Sequence, residues 1–457
     1  MTRQTLALTG LGLSVLVTSL ATSTASIALP VLAQAFAAPF QSTQWVVLAY
    51  LLGMTTVVVA AGWIGDRFGR RRVLLVGMAI FALASAACAA APSLGLLLVA
   101  RGVQGLGAGV VMTLSLAFAS NIVPRDRVGS AMGMLGTMSA VGTALGPSLG
   151  GLLIAAFGWP AIFVMNLPVA VVAAGLVWLG IDEDRPSTEQ AKFDVAGTLI
   201  LAVTLAAYAL AMTMGRGHFE ATNLAPLALA LLGLAAFVMI ETRSSAPLVN
   251  LNLFRDRRLS TGLATGGLVA AVMMTTLVVG PFYLTQALGL ETATAGLALS
   301  VGPVVTALTG IPAGRLADRF GAVAMSRAGL MIMAAGAGLL ACLPQTTGLV
   351  GYVLSLAGLT VGYGLFQAAN TTAVMMAASA NGKGVISGLV NLSRNFGLVT
   401  GASVMGAVFA GVSAGSQAPA AVAGGMHAAL AVAAGLVVVA LILSLTQLPK
   451  EATRAAD

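Results

Sequence analysis

Charge is scarce in this sequence. Only 8% of its 457 residues are Asp, Glu, Lys or Arg, against 58% hydrophobic. A soluble protein of this size cannot keep such a surface in water, so that class is excluded. The two cysteines, Cys88 and Cys342, lie in or beside apolar runs and read as small hydrophobes rather than a disulfide. The two histidines, His218 and His427, stand far apart, and nothing resembles a metal cluster or a nucleophile–base pair. Glycine-rich pieces lack the Gly-Lys-Ser/Thr arrangement of a phosphate loop, which argues against nucleotide hydrolysis and, with the previous point, against an enzyme. No acid falls near the middle of an apolar run: Asp66, Asp194, Glu241, Glu291 and Asp318 all sit at ends or in links. The net charge of +8 is spread over many short links rather than one stripe, which excludes a nucleic-acid partner.

What remains is a chain of apolar runs with a mean hydropathy of +0.99. Fourteen runs are predicted to span a bilayer as helices: 6–33, 44–64, 73–91, 94–119, 128–155, 160–180, 195–215, 223–241, 260–286, 294–316, 324–343, 348–370, 385–412 and 425–447. Each reaches or approaches the roughly 20 residues a spanning helix needs. The alternating strands of a membrane barrel give a weaker signal. The 55 glycines suit close helix crossings in lipid. The first run is longer than a signal-peptide core and lacks a convincing cleavage site, so it is expected to remain as a span.

The links sort by charge. Arg67 and Arg70–Arg72 follow span two, Arg125 and Arg127 span four, and Arg185 and Lys192 span six. Arg243, Arg255, Arg257 and Arg258 follow span eight, Arg315 and Arg319 span ten, and Lys383 span twelve. Intervening links are nearly free of Lys and Arg, with Arg216 the exception. The positive-inside rule then places both termini and all even-numbered links in the cytoplasm. Gly62-Trp63-Ile64-Gly65-Asp66-Arg67-Phe68-Gly69 returns as Gly314-Arg315-Leu316-Ala317-Asp318-Arg319-Phe320-Gly321, each copy opening a cytoplasmic link. Duplication of a helical unit follows, as in many secondary transporters. The expected division is an N-terminal six-helix bundle over 1–185, two additional helices over 186–258, and a C-terminal six-helix bundle over 259–457. The two additional helices need not line a path between the bundles.

Several constellations stand out. In the first repeat element Gly62, Gly65 and Gly69 permit close approach or a tight turn, and Asp66 can pair with a basic residue or accept from helix-end amides. Asp66, Arg70 and, in the second copy, Asp318 form a conformational latch on one reading, and topology and lipid contact on the other. Arg101 lies inside span four with Gln104 on a nearby face; it serves coupling or bridges carbonyls. Arg394 lies about ten residues inside span thirteen, about 15 Å along the helix, where it faces a wet cavity or joins an internal network. Span five carries Gly142, Gly146, Pro147, Gly150 and Gly151, a kinked, close-packing face that either slides or crosses statically. Candidate substrate contacts are Ser23, Ser26, Tyr50, Gln104, Asn166, Gln286, Gln367, Asn370 and Asn391, each of which can instead satisfy a neighbouring helix. Gln44 belongs with these polar candidates, Trp45 is expected to anchor an interface, and Met132, Met134 and Met138 supply either an adaptable wall or ordinary packing.

These residues resemble the major facilitator superfamily, and more narrowly its fourteen-span drug:proton antiporter family, over nearly the whole chain. Gly62 to Arg72 match its signature after span two, Arg101 to Gly109 its Arg-x-x-Gln-Gly-x-Gly element, and Gly142 to Gly151 its antiporter signature. The resemblance implies an all-α membrane protein with two six-helix bundles plus two additional spans. It implies alternating access, gating at Pro147 and Gly146, export of amphiphilic small molecules against protons as the coupling ion, and no other cofactor. Partners are then membrane lipid and the substrate, with no protein partner required, in a bacterial cytoplasmic membrane. One departure matters. The family's Leu-Asp-x-Thr-Ile-Val-Asn-x-Ala-Leu-Pro in span one reads Leu20-Ala21-Thr22-Ser23-Thr24-Ala25-Ser26-Ile27-Ala28-Leu29-Pro30 here, so its aspartate is Ala21. Facilitated or differently coupled transport of neutral or anionic molecules is therefore a second expectation, and a non-transporting membrane sensor a third.

Overall fold

The computed structural model describes residues 2–123, 128–182, 195–214, 221–243, 254–376 and 383–446. Arg125, Arg127, Arg185, Lys192, Asp194, Arg216 and His218 lie outside these residues, as do the side chains of Asp66, Met132, Asp318 and Lys383. Among the described residues the regular structure is helical throughout, with no strand.

The first six long helices are α1 Arg3–Ala35, α2 Trp45–Phe68, α3 Arg70–Ala89, α4 Leu94–Ile122, α5 Val128–Phe157 and α6 Asn166–Gly180. A pair follows, α7 Val195–Thr213 and α8 Ala221–Arg243. The last six are α9 Arg257–Phe282, α10 Thr292–Phe320, α11 Ala322–Ala341, α12 Gly348–Met376, α13 Lys383–Thr400 and α14 Pro419–Leu445. A π turn prolongs α9 at Tyr283–Ala287, just beyond Pro281, which has no amide to donate. A second, at Gly401–Met405, prolongs α13 into Gly406–Ser413. Among the described residues, thirteen stretches have the length and composition to cross a membrane. The helix Trp45–Phe68, 24 residues long, stands where the remaining expected span was placed.

Many buried hydroxyls donate to carbonyls of their own helices. Ser14 donates to the Gly10 carbonyl at 2.6 Å, Thr24 to Leu20 at 2.9 Å and Thr275 to Ala271 at 3.1 Å. Three helix starts are capped by side chains: Thr2 accepts from the Thr5 amide, Ser93 from Leu96 and Asp256 from Arg258.

The two sets of six repeat one arrangement. In the first, α1 packs on α4, α5 and α6, α2 on α4, and α3 on α4 and α6. In the second, α9 packs on α12, α13 and α14, α10 on α12, and α11 on α12 and α14. Each pairing is its counterpart moved on by eight helices. α1 and α9 are the most enclosed, with 83% and 72% of their spanning windows buried, against 22% for α8. Outward faces carry exposed leucines such as Leu83, Leu231, Leu232 and Leu308, a surface suited to lipid.

The repeat element is not the link expected of it. Gly62–Phe68 and Gly314–Phe320 are the last turns of α2 and α10, and each break consists of one residue. Gly69 has φ 94° and Gly321 φ 89°, a region where a side chain is strained, so only glycine lets the chain turn back at once into the next helix.

α7 packs on α8 and on the seam between the bundles. The Trp45 indole donates to Thr213 Oγ1 at 3.1 Å, tying α2 to α7, and Tyr208 stacks on Phe396 of α13 at 5.8 Å.

Candidate functional site

The bundles meet firmly at the end opposite the basic links. α5 and α10 cross there at backbone contact: a Cβ on Gly296 would collide with the Pro147 carbonyl, and one on Gly151 with the Thr292 carbonyl. The Ser148 amide, the first after the proline, donates to Ser300 Oγ at 2.9 Å. Phe40, Phe282 and Phe409 close the same end, with ring centroids 4.9 Å apart from Phe40 to each of the others. Gln44 lies against Gly406 beside them.

Below this seal, a cavity of about 450 Å³ reaches from mid-molecule towards the basic end. Both bundles line it. Ser139 and Thr143 of α5 face Tyr363 and Gln367 of α12 and Asn391 and Arg394 of α13. The rest of the wall is mostly apolar, including Met112, Leu116, Met273, Leu277 and Leu398. A smaller void of about 80 Å³ adjoins it, and Arg394 and Thr143 border both. Neither lining contains an Asp or Glu, nor any residue of α7 or α8.

The polar residues singled out in sequence divide into three groups. Gln367, Asn391 and Arg394 line the large cavity, and Ser23 the smaller void. Ser23 also lies within reach of the Ser19, Leu20 and Gly142 carbonyls and abuts Gly146.

A second group forms a network inside the first bundle. Arg101 is fully buried. Its Nε donates to the Val46 carbonyl at 2.9 Å, and its Nη1 to Gln104 Oε1 at 2.5 Å and to the Ala21 carbonyl at 3.4 Å. Gln104 donates on to Ser85 Oγ at 2.7 Å. The guanidinium lies 4.3 Å from the centre of the Tyr50 ring, a cation–π contact, while the Tyr50 hydroxyl donates to the Thr18 carbonyl at 2.9 Å. No carboxylate joins this network among the described residues.

The third group stands apart from both. Asn370 donates to the Gly262 carbonyl at 2.9 Å and ties α12 to α9. Asn166 is buried at the start of α6, Ser26 is buried within α1, and Gln286 sits in the π turn after α9. Arg70 opens α3 at the basic end, bordering a surface crevice with Arg3 and Asp182, which pair at 2.7 Å. Asp66 and Asp318 occupy corresponding last turns of α2 and α10.

Sequence reading did not single out Ser139, Thr306, Thr360 or Tyr363, though Ser139 and Thr143, like Tyr363 and Gln367, follow helical i, i+4 spacing. Met134 and Met138 pack on Gly12 of α1, whereas the methionines at the cavity are Met112 and Met273.

The Major Facilitator Superfamily model matches residues 11–402, and the chain belongs to that family. It is 34% identical over 411 residues to a Mycobacterium tuberculosis multidrug resistance protein named Stp, covering 89% of this chain and 75% of that one. It is 30% identical over 416 residues to the drug efflux pump JefA of the same species, covering 89% and 81%. It is 28% identical over 409 residues to the riboflavin transporter RibZ of Clostridioides difficile, covering 87% and 86%. Among solved structures, a bacterial homologue of the lysosomal transporter Spinster, inward-facing and unoccupied, superposes with a TM-score of 0.71 at 15% identity, covering 97% of this chain and 96% of that one. That likeness concerns the fold.

Proposed function

We propose that this protein is a secondary exporter of amphiphilic small molecules, including drugs, that works by alternating access. The observation that carries this reading is a largely apolar cavity of about 450 Å³ built from both bundles beneath a seal where the two bundles touch. Such a volume suits drug-sized molecules. Parting α5 from α10 at Ser148 and Ser300 opens the sealed end, and closing the bundles below completes the cycle. The names of Stp and JefA point the same way. We place the protein in a bacterial cytoplasmic membrane with both termini cytoplasmic, which makes the described state inward-facing. The functional units are the bundle over 1–185, the accessory pair over 186–258 and the bundle over 259–457.

Protons are the coupling ion on the family resemblance, with Asp66 and Asp318 the carboxylates to test. A second reading, transport with another coupling or none, is favoured by one observation: no carboxylate lines either void, and position 21 is Ala. Purified protein in sealed vesicles, with pH and voltage gradients imposed separately, decides between them. Flux driven by a pH gradient alone establishes antiport. Flux or counterflow indifferent to pH establishes the second reading. Binding without flux under any gradient removes the exporter.

A further inference from the structure

Several arginines have described acceptors. Arg101 has two carbonyls and Gln104, Arg3 has Asp182, Arg71 has the Trp178 carbonyl, and Arg327 the Ser444 carbonyl. Arg394 differs. It is half-buried near the middle of the molecule, it borders both voids, and no hydrogen bond or ion pair engages it among the described residues. Asn391, one turn away on the same helix, and Gln367, on α12, also line the cavity and likewise have no described hydrogen-bond partner. A charged group at this depth is costly unless something answers it. Guanidinium and amide groups with no acid beside them form a donor set for an anion, and the guanidinium fork matches a carboxylate. The Met112, Leu116, Met273, Leu277 and Leu398 wall suits an apolar body.

We infer that the cavity selects amphiphilic anions, with Arg394, Asn391 and Gln367 holding the anionic head and the apolar wall holding the body. This rests on the exporter reading and names its substrate class. It also gives the missing carboxylates a physical sense. An interior-negative potential expels a monovalent anion on its own, sustaining about a fifty-fold gradient per 100 mV, so export needs no proton-binding acid in the path.

The test uses the full chain in phosphatidylcholine vesicles and three fluorescent probes of one body: naphthylbutyrate, its primary amide, and naphthylbutylamine. The expected result is at least tenfold tighter binding of the carboxylate than of the amide or the amine. Arg394→Gln should weaken the carboxylate at least tenfold and leave the amide within about twofold, and Arg394→Lys should fall between. If Arg394→Gln does not fold, Asn391→Ala carries the test, with a roughly threefold loss for the carboxylate alone. Equal or tighter binding of the amine, or equal losses for all three probes, overturns the inference. So does loss of carboxylate binding when phosphatidylglycerol is added, since a lipid head group then owns the site. Flux of the amide or amine without any carboxylate preference removes the anion site and keeps the exporter. Tight carboxylate binding with no flux of any probe removes the exporter and keeps the anion site.

Discussion

Arg101 is a buried guanidinium with no acid beside it among the described residues. Two carbonyls, Gln104 and the face of Tyr50 take up that charge instead, and Ser85 fixes the amide of Gln104. Hydrogen bonds to a charged group contribute more than neutral ones, and removing the hub leaves the buried Gln104 Oε1 without its donor. Arg101→Ala is therefore expected to destabilise the protein by on the order of 3 kcal/mol, and Ser85→Ala by about 1 kcal/mol. Thermal unfolding in detergent should rank the two in that order; equal melting temperatures would contradict the network. Gln104 was legible from its spacing, three residues on from Arg101 along a helix. Ser85 was not, because it arrives from α3 and nothing local marks it. Gly69 and Gly321 belong at this scale too. A side chain at their φ values costs about 1–3 kcal/mol, so Gly69→Ala and Gly321→Ala should each lower stability by that amount, and the double substitution by the sum, as read by the same melts.

α5 shows how one helix meets two partners of different kinds. Gly142, Gly146 and Gly150 lie against Leu16, Ser23, Thr24 and Ile27 of α1, inside one bundle. Gly151 and the Pro147 carbonyl lie against Thr292 and Gly296 of α10, in the other. The glycine stripe was legible as a close crossing, but a stripe does not name its partner, so the choice between a sliding and a static face stayed open. The fold divides it: the α1 side is internal packing, and the α10 side is the face that separates if the bundles part. Bond lengths added to the 2.9 Å Ser148–Ser300 contact put the two Cα atoms within about 7 Å, near disulfide range. With Cys88 and Cys342 replaced by Ser, the pair Ser148→Cys and Ser300→Cys should cross-link on mild oxidation. Flux should then stop, and return on reduction. Continued flux in a fully cross-linked sample would show that this end does not open. Ser300→Ala leaves the Ser148 amide without that acceptor and is expected to shift the population towards opening at this end, read as faster labelling of a cysteine at Phe40.

For the whole molecule, the cavity and the seal are products of two bundles meeting; α7 covers the seam, and neither α7 nor α8 lines the cavity. Trp45→Phe removes the indole bond to Thr213 and should cost about 1 kcal/mol in thermal stability while leaving the ranking of transported probes unchanged. A change in that ranking would give the accessory pair a place in the path. A cysteine at Asn391 is expected to react with a membrane-impermeant thiol reagent from the side of the basic links and not from the sealed side. The sequence alone determined that the chain is a bundle of long apolar helices, how they alternate in direction, that a unit is repeated, and which glycines mark close approach. Each follows from local rules: the length of an apolar run, the sign of a link, the conformation only glycine tolerates. Tertiary structure alone decided which polar side chains share a space. Gln104 and Gln367 are alike as residues in apolar helices, yet one is consumed by Arg101 and Ser85 and the other faces the void. Burial deep in lipid penalises a polar group that finds neither a partner nor a cavity, and only the packing of helices distant in sequence settles which it finds.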